Sequence, residues 1–150
     1  MYKEIFCGDK IMDQNITILI AEDDRGHFLL TRNYLRKSGI DNEIIWFADG
    51  QQALDFFCGQ DKQHQWAQGR KYILLLDVRM PKVDGIELLE RIRQFSNNIS
   101  GTPVIIVSTS NAPENIKRCE ALDCIAYIVK PFAKNDALIE AVNKACLTAV

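Results

Sequence analysis

Short apolar runs that could form buried strands alternate along this chain with amphipathic stretches. The strand-like runs occupy residues 16–21, 43–48, 72–76, 104–107 and 125–129. Apolar residues at helical spacing predict helices over 26–37, from the cap Asp49 to the stop at Gly59, from Ile86 to Phe95, over 113–122, and from Asn135 or Asp136 onward. Five strand–helix units with short links predict a doubly wound parallel sheet with helices on both faces.

Three segments do not follow this alternation. Residues 1–14 have no clear period and are interpreted as a short leader, so we expect one domain over 15–150 with no output domain. Residues 61–71 are polar and predict a loop, which is long for a compact domain. Residues 97–102 are rich in turn formers and predict a link into the fourth strand.

Charge and cysteine content argue against several functional classes. A net charge of −2 over 150 residues gives no electrostatic basis for binding nucleic acid. No apolar stretch approaches the ~20 residues of a membrane span and no signal segment opens the chain, so we expect a cytoplasmic protein that does not bind membranes. The five cysteines include no C-x-x-C pair, which favours reduced thiols over a structural zinc site or a disulfide framework.

Residues whose side chains could bind a ligand or take part in a reaction follow four of the five predicted strands. They are Glu22 and Asp23 after the first, Asp77 after the third, Ser108 and Thr109 after the fourth, and Lys130 after the fifth. Because the carboxyl ends of parallel strands open on one edge of the sheet, we expect these groups to converge. Carboxylates held together repel one another unless a cation joins them, and an all-oxygen site suits Mg²⁺. With a hydroxyl and a lysine beside it, a carboxylate nucleophile could accept a phosphoryl group.

Each of these groups also has a purely structural interpretation. The acids at 22–24 could cap the first helix, the hydroxyls at 108–110 could bond to local backbone, and Lys130 could be a solvated strand end. Asp77 is harder to explain in this way, since a carboxylate after five apolar residues has no obvious structural task. The occurrence of all these groups at strand ends favours a functional site.

The chain resembles the receiver domain of response regulators over roughly residues 15–145. The resemblance rests on residues 20–24, 75–77, 80–81, 84–85, 107–108 and 127–132. It implies a five-stranded sheet in the order 2-1-3-4-5 with five helices. It also implies that Asp77 is the phosphoacceptor, that Asp23 binds Mg²⁺ directly, and that Glu22 often acts through water. The backbone carbonyl of Arg79 would complete the metal shell together with Asp77.

The resemblance assigns further roles around this centre. Ser108 and Lys130 would bind the transferred phosphoryl group, and Tyr127 would turn inward when Ser108 moves. Arg79 and Ser110 would flank the mouth of the site and tune the lifetime of the phosphoryl group. A cis bond is implied before Pro131.

The family implies particular partners and a switching surface. We expect a sensor histidine kinase or a histidine phosphotransfer protein as donor, and a separate protein as the downstream target. A homodimer through the fourth-helix/fifth-strand/fifth-helix face is also expected. The loop at 61–71 with Trp66, after the segment 54–57, is similar to the single-domain regulators paired with bacterial phytochrome kinases.

Some residues depart from the family pattern. Ser108 stands where threonine is commoner, and Asp123 and Cys124 replace a small Gly-Ala pair. An aspartate can end a helix in this way, and Cys124 is interpreted as a packed thiol. His27 and His64 have no supporting motif and are interpreted as surface residues.

Two other functions compete with that of a phosphorylated regulator. A pseudo-receiver would bind partners without phosphorylation, but such modules usually lack part of the acidic site, which is complete here. A hydrolase of the haloacid dehalogenase type also uses an aspartate nucleophile on a doubly wound sheet. That type needs a second acid two residues after the nucleophile, where this chain has Arg79.

Overall fold

Five parallel strands form a single sheet in the computed structural model, which describes residues 13–131 and 136–149. The strands are β1 (Ile16–Ala21), β2 (Ile44–Phe47), β3 (Lys71–Leu76), β4 (Val104–Ser108) and β5 (Ala126–Val129). Their order is β2-β1-β3-β4-β5, and every neighbouring pair is parallel. The expected doubly wound α/β fold with strand order 2-1-3-4-5 is confirmed.

Five α-helices lie within the described residues. They are α1 (Arg25–Lys37), α2 (Gly50–Phe57), α3 (Gly85–Arg93), α4 (Pro113–Ala121) and α5 (Ala137–Thr148). The first three begin at an aspartate whose side chain accepts a bond from the backbone N–H three residues on: Asp24 from His27 at 2.9 Å, Asp49 from Gln52 at 2.8 Å and Asp84 from Glu87 at 2.9 Å. Such caps satisfy backbone donors that a helix start leaves free, so each of these helices begins directly after its aspartate.

The helices cover both faces of the sheet and create two cores. One core joins α2, α3 and α4 to the sheet and includes Phe56, Leu89, Cys119, Leu74 and Leu76. The other joins α1 and α5 to the opposite face and includes Phe28, Leu138, Val142, Ile73 and Leu75. Alternate residues of β3 enter different cores, because successive side chains of a strand point to opposite faces. The polar residues at the strand ends therefore belong to neither core.

The loop before β3 is anchored by aromatic packing. The ring of Trp66 lies 4.3 Å from that of Tyr72 and 6.0 Å from that of Phe57, measured between centroids. The Tyr72 hydroxyl accepts a bond from the backbone N–H of Ala67 at 3.0 Å. The packing of Trp66 on Tyr72 therefore anchors a polar segment that has neither a helical nor a strand period.

Several predicted boundaries were wrong by a few residues. Lys71 belongs to β3 rather than to the loop, and α3 ends at Arg93, before Phe95. The link at 97–102 contains a 3₁₀-helix (Asn98–Gly101), which starts where the Asn97 side chain accepts a bond from Ile99 N–H at 3.0 Å. Among the described residues, no helix is long and apolar enough to cross a membrane. Most of the predicted leader, and Phe132 and Asn135, lie outside the described residues.

Candidate functional site

Three carboxylates meet where β1 and β3 end. Ala21 of β1 pairs with Leu76 of β3, so the residues that follow each strand lie side by side, and Asp77 N–H donates to the carbonyl of Ala21 at 3.0 Å. One oxygen from each of Glu22, Asp23 and Asp77 lies within 4.8 Å of the others. The sequence prediction that these acids converge is therefore correct.

Glu22 is the most buried of the three acids. The residue is 4% exposed, and its Oε2 accepts the backbone N–H of Asp24 at 3.1 Å. The indole Nε1 of Trp46, on the neighbouring β2, donates to the Glu22 backbone carbonyl at 2.7 Å. Burial raises the pKa of Glu22 to about 7; the bond from Lys130 opposes this shift, and the charge of Asp77 adds to it.

Lys130 reaches the acids from the end of β5. Its buried ammonium donates to Glu22 Oε1 and lies 3.8 Å from Asp77 Oδ2. Nδ1 of His27, in the first turn of α1, lies 3.1 Å from the same nitrogen. The Lys130–Pro131 peptide bond is cis, as the resemblance implies.

The acidic cluster fits a hard divalent cation. Three oxygen ligands from carboxylates, one of them on the exposed Asp23, leave a side open to water, as Mg²⁺ prefers. Within this cluster a single lysine ammonium faces two buried carboxylates, so its charge alone does not neutralise the acids. Asp77 is 8% exposed, and its Oδ1 accepts the backbone N–H of Arg79 at 3.3 Å.

The predicted switch residues lie close together at the end of β4, whose last residue is Ser108. Ser108 is fully buried, and its Oγ accepts the backbone N–H of Ser110 at 3.1 Å. The Tyr127 hydroxyl donates to the carbonyl of Ser110 at 2.8 Å. Tyr127 is thus tied to the loop that Ser108 begins, while the neighbouring Thr109 is exposed.

A cleft of about 520 Å³ opens beside the acids, between α3 and α4. Asp23 and Arg79 line its inner end, and Asn115 and Arg118 of α4 line the other side. Ser110, expected at the mouth, is buried and accepts a bond from Asn115 Nδ2 at 3.2 Å. The cleft leaves Asp23, one of the three acids, open to solvent.

A family model for the response regulator receiver domain matches residues 18–143 of this chain. The chain belongs to the response regulator receiver family. The response regulator Rcp1 of Synechocystis sp. is 31% identical over 113 residues, which cover 75% of each protein. Sporulation initiation phosphotransferase F of Bacillus subtilis is 31% identical over 87% of this receiver and 93% of the phosphotransferase.

Solved structures give the same result. The bacteriophytochrome response regulator RtBRR superposes with a TM-score of 0.73 at 31% identity, over 86% of this receiver and 76% of RtBRR. The Mn²⁺-bound form of Rcp1 superposes with a TM-score of 0.67 at 27% identity, over 87% of this receiver and 88% of Rcp1. The expected similarity to phytochrome-associated regulators is confirmed.

Two contacts of the receiver site were missed by sequence reasoning. His27 was interpreted as a surface residue, yet it contacts Lys130 although its side chain is 40% exposed. Trp46 had been assigned only to a strand, yet it bonds to Glu22. A histidine one turn into α1 and an indole next to the end of β2 were signals for both contacts. Neither signal could be interpreted before the strand order was known.

The raised pKa of Glu22 predicts a pH-dependent stability. The native carboxyl, with a pKa of about 7, keeps a proton that the unfolded carboxyl, at 4.5, has lost. The native state therefore binds more protons between these values, and the free energy of unfolding falls as the pH rises through this window. In urea titrations between pH 4.5 and 7, with a chelator present, the free energy of unfolding of Glu22→Gln should fall less steeply with pH than that of the parent protein.

A matched control for this prediction is Glu43→Gln. The Glu43 side chain is 56% exposed and pairs with Arg70 at 3.1 Å. We expect the free energy of unfolding of this variant to change with pH as steeply as that of the parent protein. An unchanged slope in Glu22→Gln would show that Glu22 is not the titrating group.

Proposed function

We propose that this receiver accepts a phosphoryl group on Asp77 from a histidine kinase or a histidine phosphotransfer protein, with Mg²⁺ bound, and signals through a partner protein. The observation that carries the proposal is the convergence of Glu22, Asp23, Asp77 and Lys130 at one sheet edge. A structural cap would need only Asp24, which already caps α1. The additional acids and the buried lysine support a site for phosphoryl transfer.

Asp77 is the proposed nucleophile. One of its carboxylate oxygens would attack the phosphorus atom, the bond from phosphorus to the donor nitrogen would break, and the nitrogen would leave with the electron pair. Mg²⁺ held by Glu22, Asp23, Asp77 and the Arg79 carbonyl would supply positive charge for the phosphoryl oxygens. That Rcp1 has been solved in a Mn²⁺-bound form supports a divalent ion at this edge.

Lys130 would retain the product. Its ammonium already lies 3.8 Å from Asp77, close enough to pair with an added phosphoryl oxygen. The phosphoryl group adds about −1.5 to −2 charges and three acceptor oxygens. Ser108 is the proposed hydroxyl donor to one of these oxygens.

The switch would run from Ser108 to Tyr127. Movement of Ser108 toward the phosphoryl group would disturb the loop whose Ser110 carbonyl now holds the Tyr127 hydroxyl. Tyr127 could then turn inward and change the surface formed by α4, β5 and α5. A target or a second copy that prefers one form of this surface would shift the equilibrium between the two forms. We propose this same surface for the homodimer.

The test of the proposed function is incubation with acetyl phosphate and Mg²⁺, followed by intact mass. We expect an adduct of ~80 Da, one PO₃H group, that disappears in Asp77→Asn and in the presence of a chelator. Asp84→Asn is the matched control. Asparagine caps a helix as well as aspartate does, so this variant should fold and be labelled.

Two results would contradict the proposal in different ways. An adduct that survives Asp77→Asn would place the acceptor elsewhere. A folded parent protein that forms no adduct with Mg²⁺ present would instead support a binding module that works without phosphorylation.

A further inference from the structure

Two cysteines meet where α4 turns into β5. Asp123 adopts a left-handed backbone conformation with φ of 60°. Cys124 N–H donates to the carbonyl of Cys119 at 3.2 Å, and Asp123 N–H donates to that of Glu120 at 3.0 Å. These two bonds around a left-handed residue form a Schellman helix end, in which the first and last side chains contact each other. In this chain both of those side chains are thiols.

The two thiols differ in burial and in acidity. Cys119 is fully buried, whereas Cys124 is half-buried and so within reach of a small reagent. Hydrogen bonding between the two thiols raises the pKa of Cys119 and lowers that of Cys124. The more accessible sulfur is therefore the one that loses its proton more readily.

A fixed positive charge lies at the same turn. The guanidinium of Arg93, from α3, donates to the carbonyl of Leu122 at 2.8 Å and to that of Asp123 at 3.4 Å. Two further bonds, to the carbonyls of Ser100 and Thr102, hold this side chain in place. Its charge further lowers the pKa of Cys124. Reactive cysteines are found in partly exposed, electropositive surroundings of this kind.

We propose that Cys124 and Cys119 form an oxidisable pair, in which Cys124 reacts with a hydroperoxide and Cys119 then closes a disulfide. In the first step the Cys124 thiolate attacks an oxygen of hydrogen peroxide, the O–O bond breaks, and the sulfur becomes a sulfenic acid. The departing hydroxide takes up the proton that the Cys124 thiol had lost and becomes water. In the second, the Cys119 sulfur attacks the Cys124 sulfur. The S–O bond breaks, and the departing hydroxide takes the Cys119 proton to form water.

This modification is independent of the proposed phosphorylation at Asp77. The Schellman end places the Cys124 N–H 3.2 Å from the Cys119 carbonyl, so the two residues lie close together in space, as a disulfide requires. It would link the last turn of α4 to the residues entering β5, the strand that carries Tyr127. The oxidised pair would therefore fix the turn beneath the surface formed by α4, β5 and α5.

Tryptic mapping of the folded protein tests this proposal directly. Trypsin cleaves after Arg118 and Lys134 but not before Pro131, so both thiols fall in peptide 119–134, without any other cysteine. After brief treatment with hydrogen peroxide and blocking of remaining thiols, we expect this peptide to carry no blocking group and to be lighter by two hydrogens (~2 Da) than the unblocked reduced peptide. Dithiothreitol should restore the reduced mass. The exposed Cys58, in another peptide, serves as the internal comparison and should react later.

Two single variants assign the order of reaction. With a dione reagent that traps sulfenic acids, Cys119→Ser should accumulate the trapped adduct on Cys124, because the second thiol is absent. Cys124→Ser should lose trapping in peptide 119–134. If the peptide of the parent protein stays reduced while Cys58 oxidises, or goes to the sulfinic acid without a disulfide, the two thiols only pack and the proposal fails.

Discussion

Gly85→Ala should destabilise the receiver by about 3 kcal/mol, the upper end of what overpacking a core costs. A Cβ atom at this position would lie 2.0 Å from the backbone carbonyl oxygen of Asp77. The position of a Cβ atom is fixed by its backbone and the oxygen that it meets is a backbone atom, so no side-chain rotation can relieve the clash. For a domain of this size the melting temperature should fall by roughly 6–12 °C.

The contact explains why a glycine follows the cap of α3. Gly85 N–H donates to the carbonyl of Val78 at 2.8 Å, so the first turn of α3 lies directly against the chain that leaves Asp77. A side chain there would push α3 away from the acceptor residue. We therefore expect Gly85→Ala to weaken Mg²⁺ binding as well, measured by titration of the ion on the fraction that stays folded.

Gly26→Ala is the control for this prediction. Gly26 also lies in the first turn of a helix, but a Cβ there would meet only the side-chain oxygen of Asp24, at 3.1 Å. Alanine favours helix over glycine, so thermal unfolding of this variant should show little loss of stability. If both variants unfold at the parent temperature, α3 can move away from Asp77 at low cost.

The sheet edge was predictable from sequence because its signals are local. A buried strand is recognised by an unbroken apolar run. Acids that follow such a run can cap the next helix, so the end of a strand and the start of a helix can be located together. Asp77 was identified in this way, from the five apolar residues before it. The cap Asp49 was predicted from the same local chemistry.

Contacts between distant segments could not be found in this way. Arg93 looks like an ordinary residue of the last turn of α3, yet it bonds to carbonyls on both sides of β4, at Thr102 and Leu122. Trp66 stands in a polar loop, and its packing on Tyr72 depends on where β3 lies. The prediction that Cys124 packs was correct, but its contact with Cys119 requires the left-handed turn at Asp123 to be known.

Lys130→Met should cost about 3–5 kcal/mol in the absence of a divalent ion, because it removes one partner of a buried ion pair. Methionine keeps most of the aliphatic length, so the main loss is the ammonium between Glu22 and Asp77. Glu22 can relieve the unpaired charge by taking up a proton. The loss should therefore be smaller at pH 5 than at pH 8, as measured by urea unfolding with a chelator present.

Lys71→Met is the control for the substitution itself. Lys71 pairs with Asp13 at 3.4 Å, but the two side chains are 40% and 46% exposed. A solvated pair of this kind contributes about 0–1 kcal/mol, since water screens the charges and the side chains lose freedom. Comparing the stability of the two variants therefore distinguishes the effect of breaking a buried ion pair from the effect of replacing a lysine.

The double variant Lys130→Met/Glu22→Gln decides whether charge causes the loss. A neutral amide at position 22 removes the more buried of the two carboxylate charges that the single variant leaves without a cation, so the pair of changes should recover most of the stability at pH 8. A double variant as unstable as Lys130→Met would assign the cost to packing around β5 instead. Recovery would mean that the acids at this edge need a cation: the lysine supplies part of that charge, and a divalent ion could supply the rest.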